Sequence, residues 1–456
     1  MNRLVKKQTV YVDQTILDAV ECIESGDLQI VFVVDDQECL VGVITNGDLR
    51  RYLLQEGADT DVPVTACMNT HYRSVQVGAS REELLKIFDL SFNAIPVVDA
   101  AGCLVDVVTP ALLAANSEVP VLARARAPVR MSFSGGGSDL TYYFVDNPAA
   151  VLSCTLGLYS HATLIPRTDD VIQIFSEDLG THERYESIYD LARHAGKGLL
   201  ATIVSVIQPN YGLDLYIRSD FPVGSGLGGS SAVATAVIAA FNELRRDRWS
   251  TYEVAELAFQ AERLCFGIAG GWQDQYASAF GGFNLIEFKE GRNLVHPIRL
   301  TESIWNELEE CLVLCDTQIS HDSGKLHERQ REEMSSKDSK APLITESVEL
   351  CRHMHHHLIR GELHDFGRCL HQGWMLKRQF SNAVSDGVLD QIYDSALAAG
   401  ALGGKLLGAG GGGFFLFFVQ PQHRRAVTDK VRELGCRITD FRFESNGVTS
   451  WRTKIQ

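Results

Sequence analysis

The chain has 456 residues, 45% of them hydrophobic and 22% charged, with a formal net charge of −16. That length accommodates about three globular domains, and the acidic balance, with a pI near 5.3, argues against a nucleic-acid or anionic-membrane partner. No run approaches the ~18 apolar residues of a membrane span, no apolar stretch follows Met1-Asn-Arg-Leu-Val-Lys-Lys7, and the eleven cysteines include no Cys-x-x-Cys pair, so a cytoplasmic protein with reduced thiols is expected.

The first 120 or so residues contain a duplication. Ile30-Val-Phe-Val-Val-Asp35, then Leu40-Val-Gly-Val-Ile-Thr45, recurs as Ala94-Ile-Pro-Val-Val-Asp99, then Leu104-Val-Asp-Val-Val-Thr109, at a constant offset of 64 (99 − 35 and 109 − 45). Each copy reads as two short apolar strands after a helix, and Ser80-x-x-Glu83 predicts a capping box at the second copy's helix. A hinge is expected over 110–120, where alanines and two prolines break the alternation.

A new region starts near Val121. Its first apolar strand ends in Gly135-Gly136-Gly137-Ser138-Asp139, which leaves open space and free N–H groups beside a hydroxyl and a carboxylate. After a β-rich stretch to Ile174 and helices before Ile207, Leu213 to Ser219 alternates as a half-buried strand, and Ala232 to Leu244 is unbroken helix former. Between them lies Asp220-Phe-Pro-Val-Gly-Ser-Gly-Leu-Gly-Gly-Ser-Ser-Ala232. Gly224, Ser225, Gly226, Leu227, Gly228 and Gly229 read as a phosphate cradle feeding a helix N-terminus. Ser230 and Ser231 are placed to cap that helix or to reach a phosphate-bound Mg²⁺. The loop lacks the Gly-Lys-Ser/Thr of a Walker motif and is not a dinucleotide fingerprint. A flexible linker, the plain alternative, is polar on both flanks, and this segment is not.

Ser250-Thr-Tyr-Glu253 is a second capping box, opening a helix to about Cys265 that carries Glu262 near its end. A solvated helix acid is the plain alternative for Glu262. The turn Gly267 to Gly282 then presents Asp274 between Gln273 and Gln275, as a carboxylate held in place. Further on, helices are predicted from Thr345 through Gly361 and on to Arg378. His353 and His357 share a helix face but lack the flanking acid of a zinc protease, which argues against a metal site. Gly400 to Val419 is a glycine loop feeding an apolar strand.

Pro222-x-Gly-x-Gly-Leu-Gly-x-Ser-Ser-Ala232 resembles the ATP loop of the galactokinase, homoserine kinase, mevalonate kinase and phosphomevalonate kinase (GHMP) superfamily. Phe133-x-Gly-Gly-Gly-Ser-Asp139, Gly271-x-Gln-Asp-Gln-Tyr276, Trp374-x-x-Lys-Arg378 and Gly403-Gly-Lys-Leu-Leu-Gly-Ala-Gly-Gly-Gly-Gly413 sharpen the resemblance, from Val121 to the end, to the D-glycero-α-D-manno-heptose 7-phosphate kinase branch. The resemblance implies an α+β architecture: a GHMP kinase fold of two α/β subdomains, 121–300 and 301–456, with the active site between them. It implies ATP and Mg²⁺, with Asp274 orienting and deprotonating the substrate hydroxyl, Arg130 keeping that carboxylate ionised and steadying the transferring group, and Ser231 and Glu262 holding the metal. The sugar phosphate falls to Gly135, Gly136, Gly137, Ser138, Asp139, Lys377, Arg378, Gly410 and Gly411. Galactokinases carry Glu-His where this chain has Gly136-Gly137, so hydroxyl ligands for galactose are missing. Thr317-Gln-Ile-Ser-His321 stands where the branch shows Thr-Gly-x-x-Arg, which weakens one phosphate contact.

The repeat over 1–116 resembles a tandem pair of small α/β cystathionine β-synthase (CBS) domains, a family that binds adenine nucleotides. Thr45 and Asp48 supply its Thr-x-x-Asp in the first copy, whereas Leu112 stands at the aspartate position of the second. One nucleotide site is therefore expected, and a purely structural dimerisation pair is the alternative, with a homodimer or larger homo-oligomer in either case. The function expected is phosphorylation of the anomeric hydroxyl of heptose 7-phosphate for surface-glycan synthesis. Kinases for fucose or galactose, or a sensor that binds without turnover, are the competing readings.

Overall fold

The structure, a computed structural model, describes every residue except 1–2, 27, 91, 111–120, 195, 320–340, 381–383 and 456. The expected hinge after Pro110, as well as Leu112 and His321, thus lies outside the described residues. The chain forms two compact units, Met1–Val119 and Pro120–Gln456.

In the first unit the duplication is visible strand by strand. Thr9–Tyr11, Ile30–Val34 and Leu40–Thr45 form one three-stranded sheet, and Val75–Gln76, Ile95–Val98 and Leu104–Val108 form another in the same order. Each sheet pairs its first two strands parallel and its last two antiparallel. Even the irregularity repeats, with a bulge at Val33/Val34 in one copy and at Val97/Val98 in the other. The helix Ile16–Ser25 starts on a reciprocal capping box between Thr15 and Asp18. At Ser80 the forward half of the predicted box forms, its Oγ accepting from Glu83 N at 3.1 Å. Phe32, Val34, Leu40 and Val43 of the first copy share one buried cluster with Ala94, Val98, Leu104 and Val107 of the second. Neither small sheet could bury its apolar face alone, so the copies complete each other's core.

The second unit is built on two long antiparallel strands, Val121–Ser134 and Ala149–Pro166. Around them a nine-stranded mixed sheet forms, with Leu213–Ser219 and Phe283–Phe288 both paired to Ala149–Pro166. The helix Gly229–Leu244 lies against this sheet. Its buried residues include Ala232, Ala234, Ala236, Ala239 and Ala240, small side chains that let the backbones approach closely, with Val237, Ile238 and Phe241 filling the rest. A separate four-stranded sheet runs in the order Ala401–Leu406, Phe414–Val419, Leu312–Asp316, Arg437–Thr439. Every residue of Phe414–Val419 is buried, as expected of a central strand covered on both faces. The helices Ala341–Arg360 and Leu363–Arg378 pack on one another, and Leu363–Arg378 also packs on Ala401–Leu406. The cleft therefore lies where the exit of Val121–Ser134 faces the helix Leu363–Arg378 and the strand Ala401–Leu406.

Candidate active site

The cleft is lined by Arg130, Gly135, Gly136, Gly137, Asp139, Arg263, Asp274, Lys377 and Lys405, among others. Arg130 leaves the strand Val121–Ser134 and is only 5% exposed. Its Nε and Nη2 donate to Asp274 Oδ1 at 2.8 and 2.7 Å, and its Nη1 donates to the Gly226 carbonyl at 2.8 Å. A single guanidinium thus ties the candidate base to the glycine loop. Such charge-assisted forks hold a carboxylate more firmly than neutral hydrogen bonds do.

Gln273, Asp274 and Gln275 open the helix Gln273–Phe280, where unpaired N–H groups and the dipole favour negative charge. The sequence reading has the two amides holding Asp274. The structure corrects that: each amide serves a different carboxylate. Gln273 donates from N and Nε2 to Asp139 Oδ2 at 3.3 and 3.0 Å. Gln275 Nε2 donates to Glu262 Oε2 at 2.6 Å. Burial first, and the charge of Asp274 second, push the Asp139 carboxyl above the usual aspartate value.

Glu262 is fully buried, so the solvated-acid alternative is ruled out. The expected helix stops being α-helical at Phe259, and Gln260–Cys265 forms a π-helical turn. Such turns recur at functional sites because the wider spacing re-aims side chains. Glu262 accepts from Ser230 Oγ, from Ser231 Oγ at 2.6 Å and from Gln275. Ser230 and Ser231 therefore do not cap the helix Gly229–Leu244, whose N-cap is Gly228 at φ 76° with no side-chain cap. Two hydroxyls and a carboxylate make an oxygen-only donor set of the kind Mg²⁺ takes.

The two glycine loops pack on each other. A Cβ on Gly226 would lie 3.0 Å from the Leu407 carbonyl, and one on Gly408 would lie 2.7 Å from Gly226 Cα. Both residues have positive φ, so glycine is required twice over.

Two lysines face the cleft, and one was not singled out from the sequence. Lys377 Nζ donates to the carbonyls of Leu406 and Gly408 at 2.8 and 2.7 Å. Lys405, on the strand Ala401–Leu406, donates to the Phe133 carbonyl at 3.1 Å. Burial, then the charge of Arg130, bring the Lys405 ammonium down to about 8. Burial, then Lys405 and Arg130, hold Lys377 well below the usual lysine value. Arg263, also unforeseen, is 7% exposed and sits 3.5 Å from Glu262 and 3.6 Å from Asp274. Helix neighbours point about 100° apart, which hides the Glu262–Arg263 pair from a periodicity reading. Lys405 did carry a signal, as a lone cation inside an apolar strand.

Other expected residues lie elsewhere. Arg378 pairs with Asp390 at 2.9 Å and does not line the cleft. Gly410 and Gly411 back onto Val384, Gly411 N donating to its carbonyl at 2.9 Å, and the cleft is reached instead by Gly408 and Ala409. Ser138 is fully buried and donates to the Gly135 and Ala150 carbonyls at 2.7 and 3.2 Å, shaping the turn without facing the cleft. Thr45 and Asp48 form a reciprocal capping box at the helix Asn46–Leu53, and Arg51 pairs with Asp48. His356, His357 and Glu362 bring their ligand atoms within 4.8 Å of one another, a different grouping from His353 and His357.

The GHMP kinases N terminal domain matches residues 187–282, the GHMP kinases C terminal domain matches 354–435, and the CBS domain matches 3–55. The D-glycero-alpha-D-manno-heptose 7-phosphate kinase of Campylobacter jejuni is 35% identical over 335 residues, covering 72% of this chain and 98% of that protein. A crystal structure of a putative sugar kinase from Campylobacter jejuni superposes with a TM-score of 0.58 at 34% identity, covering 74% of this chain and 100% of that one. A D-glycero-D-manno-heptose 1-phosphate kinase from Bacteroides thetaiotaomicron superposes with a TM-score of 0.59 at 28% identity, covering 73% and 99%. Among the described residues no helix is long and apolar enough to cross a membrane. With Asp274, Arg130 and the glycine loop held together by hydrogen bonds at one cleft, these likenesses place the chain in the GHMP kinase family, grouped with the heptose 7-phosphate kinases, as an ATP-dependent sugar kinase that carries an N-terminal CBS domain.

Proposed function

We propose that the enzyme transfers the γ-phosphoryl group of ATP to the anomeric oxygen of D-glycero-D-manno-heptose 7-phosphate in the cytoplasm, giving the 1,7-bisphosphate for nucleotide-heptose and surface-glycan synthesis. The observation that carries this is the composition of the cleft. Lys377 and Lys405 face it with their ammonium groups donating to backbone carbonyls, and burial disfavours their charged forms, which an anion bound beside them would restore. A substrate already bearing a phosphate supplies that anion, whereas a neutral sugar leaves buried charge unpaired.

Asp274 accepts the hydroxyl proton, held for that task by Arg130. Arg130 and Arg263 spread the charge that develops on the transferring group, and the N–H groups of the glycine loop orient the phosphates. Glu262 with Ser230 and Ser231 is assigned the Mg²⁺ that neutralises the nucleotide's phosphates when bound. The convergence of Asp274, Arg130 and Glu262 argues against a sensor without turnover, which needs no base.

The experiment is kcat/KM for heptose 7-phosphate against heptose 1-phosphate, free heptose, galactose and fucose. The 1-phosphate belongs in the panel because the two named relatives differ in which sugar phosphate they act on. Preference for the 7-phosphate is expected, and preference for any free sugar rejects the assignment. For the first unit we propose one adenine nucleotide per chain near Thr45 and Asp48. Calorimetry with the full chain checks this, Asp48→Ala being expected to abolish the CBS component.

A further inference from the structure

The duplication places one pair of side chains where its two halves meet. Cys39 and Cys103 occupy equivalent positions, 64 residues apart, and their Sγ atoms lie 3.4 Å from each other. The backbone there is a short antiparallel bridge between the copies. Leu40 N donates to the Gly102 carbonyl and Leu104 N donates to the Glu38 carbonyl, both at 3.0 Å. These two bonds are each other's image under the repeat, since 38 + 64 = 102 and 40 + 64 = 104. They flank Cys39 and Cys103, which makes the cysteines a non-hydrogen-bonded antiparallel pair. In such pairs the Cα atoms sit about 4.5 Å apart and the side chains project to the same side. That separation falls within the roughly 4.4–6.8 Å that disulfides span. Both thiols are only partly buried.

We propose that Cys39 and Cys103 are a reversible oxidation site, closing to a disulfide that staples the two copies of the first unit together. The oxidant is a low-molecular-weight disulfide such as oxidised glutathione. One cysteine thiolate attacks it, its S–S bond breaks, and one glutathione leaves as thiolate. The second cysteine thiolate then attacks the mixed disulfide, forming the Cys39–Cys103 bond and releasing the second glutathione. Two protein thiols are oxidised, one glutathione disulfide is reduced to two thiols, and the two protons lost by the protein end on them. The hydrogen bond with Cys39, then burial and Asp99, push the Cys103 thiol up to about 11. The step in which Cys103 attacks is therefore slowed at neutral pH by its small thiolate fraction. The closed loop spans the bulk of the unit, so the bond restricts its unfolded chain as well as its folded one.

The test uses the full-length reduced protein, equilibrated under native conditions in glutathione buffers from fully reduced to fully oxidised. Wild type is expected to lose about 2 Da. Titratable thiols in denaturant should fall from eleven to nine (11 − 2). A peptide map should join the Cys39 and Cys103 peptides, and dithiothreitol should reverse the change. Cys39→Ser and Cys103→Ser should each abolish the 39–103 link. Cys315 and Cys436 also share a hydrogen bond, inside the second unit, so the map must distinguish the pairs. Eleven thiols surviving the most oxidising buffer overturns the proposal. So does a link confined to Cys315–Cys436, a stable glutathione adduct, or a disulfide between two chains.

Discussion

Arg130 Nη2 lies 2.7 Å from Asp274 Oδ1 although 144 residues separate the two in sequence. The pair does two jobs, since the same guanidinium also holds the Gly226 carbonyl and so fixes the proposed base relative to the glycine loop. Asp274→Asn keeps the shape and one acceptor oxygen but cannot take the substrate proton. The expected loss is ~10² to 10⁴ in kcat, with KM for both substrates nearly unchanged. Steady-state kinetics decide it. A kcat within tenfold of wild type would remove Asp274 from proton transfer.

Lys405 predicts a pH dependence with a definite sign. Its folded value of about 8 lies below the ordinary 10.5, so between those limits the unfolded chain binds more protons than the folded one. Stability attributable to this group therefore rises with pH across that window, because neutralising the lysine relieves its burial. Substrate binding runs the other way, since a phosphate needs the charged form. KM for the sugar phosphate should rise above pH 8 by up to about tenfold per unit. In Lys405→Met that rise should vanish and KM at pH 7 should already be high. A pH-independent KM in wild type would detach Lys405 from the phosphate.

Much of this arrangement was legible beforehand, and the reasons for the exceptions are physical. The duplication, the glycine loop and the acid between two glutamines are local patterns, and local patterns report local structure. Pairings across the fold are not local. Nothing near Gln275 in the chain says that its amide will clamp Glu262, because that depends on how the helix Gln273–Phe280 docks against the π-helical turn. Arg378 shows the reverse error, in which adjacency to Lys377 suggested a shared role. On a helix adjacent residues face different ways, and Arg378 turns to Asp390. The Thr45-x-x-Asp48 pattern shows how one spacing can serve two ends, since the residues that cap the helix Asn46–Leu53 are also the ones proposed to meet a nucleotide.

Arg378→Ala accordingly makes a sharp contrast with the lysine variants. Its ion pair with Asp390 is one-third exposed on both sides, and such pairs contribute about 0–1 kcal/mol. The expected outcome is a KM for the sugar phosphate within about twofold of wild type, alongside a large increase for Lys405→Met. A comparable increase in Arg378→Ala would return that arginine to the substrate.

Gly408→Ala tests the contact between the two glycine loops. The residue sits at φ 67°, and the added methyl would meet Gly226 Cα at 2.7 Å, a backbone atom that cannot swing aside. Strain at such a position costs about 1–3 kcal/mol, and the loops must separate to relieve it. Because Arg130 holds Gly226, the shift reaches the phosphate cradle. KM for ATP should rise roughly tenfold or more, with the sugar phosphate less affected. Unchanged ATP kinetics would show that the loops move independently.

Glu262→Gln probes the oxygen cluster at the start of the helix Gly229–Leu244. The wild-type carboxylate accepts from Ser230, Ser231 and Gln275 with no exposure to solvent. Glutamine preserves the volume but turns one acceptor into a donor that faces other donors, which should cost stability by about 1–3 kcal/mol. It also removes the one negative charge of the cluster, and Mg²⁺ binds chiefly through charged oxygen. Two readouts separate these effects. The melting temperature should fall modestly and independently of added Mg²⁺. Calorimetric affinity for ATP should lose its enhancement by Mg²⁺, and half-maximal activity should need at least tenfold more of the metal. Gln275→Leu, which loosens the carboxylate without removing it, should lie between wild type and Glu262→Gln in both measurements. If Glu262→Gln lowers the melting temperature but leaves the Mg²⁺ dependence of ATP binding intact, Glu262 is an anchor for the helix terminus and the metal is held elsewhere.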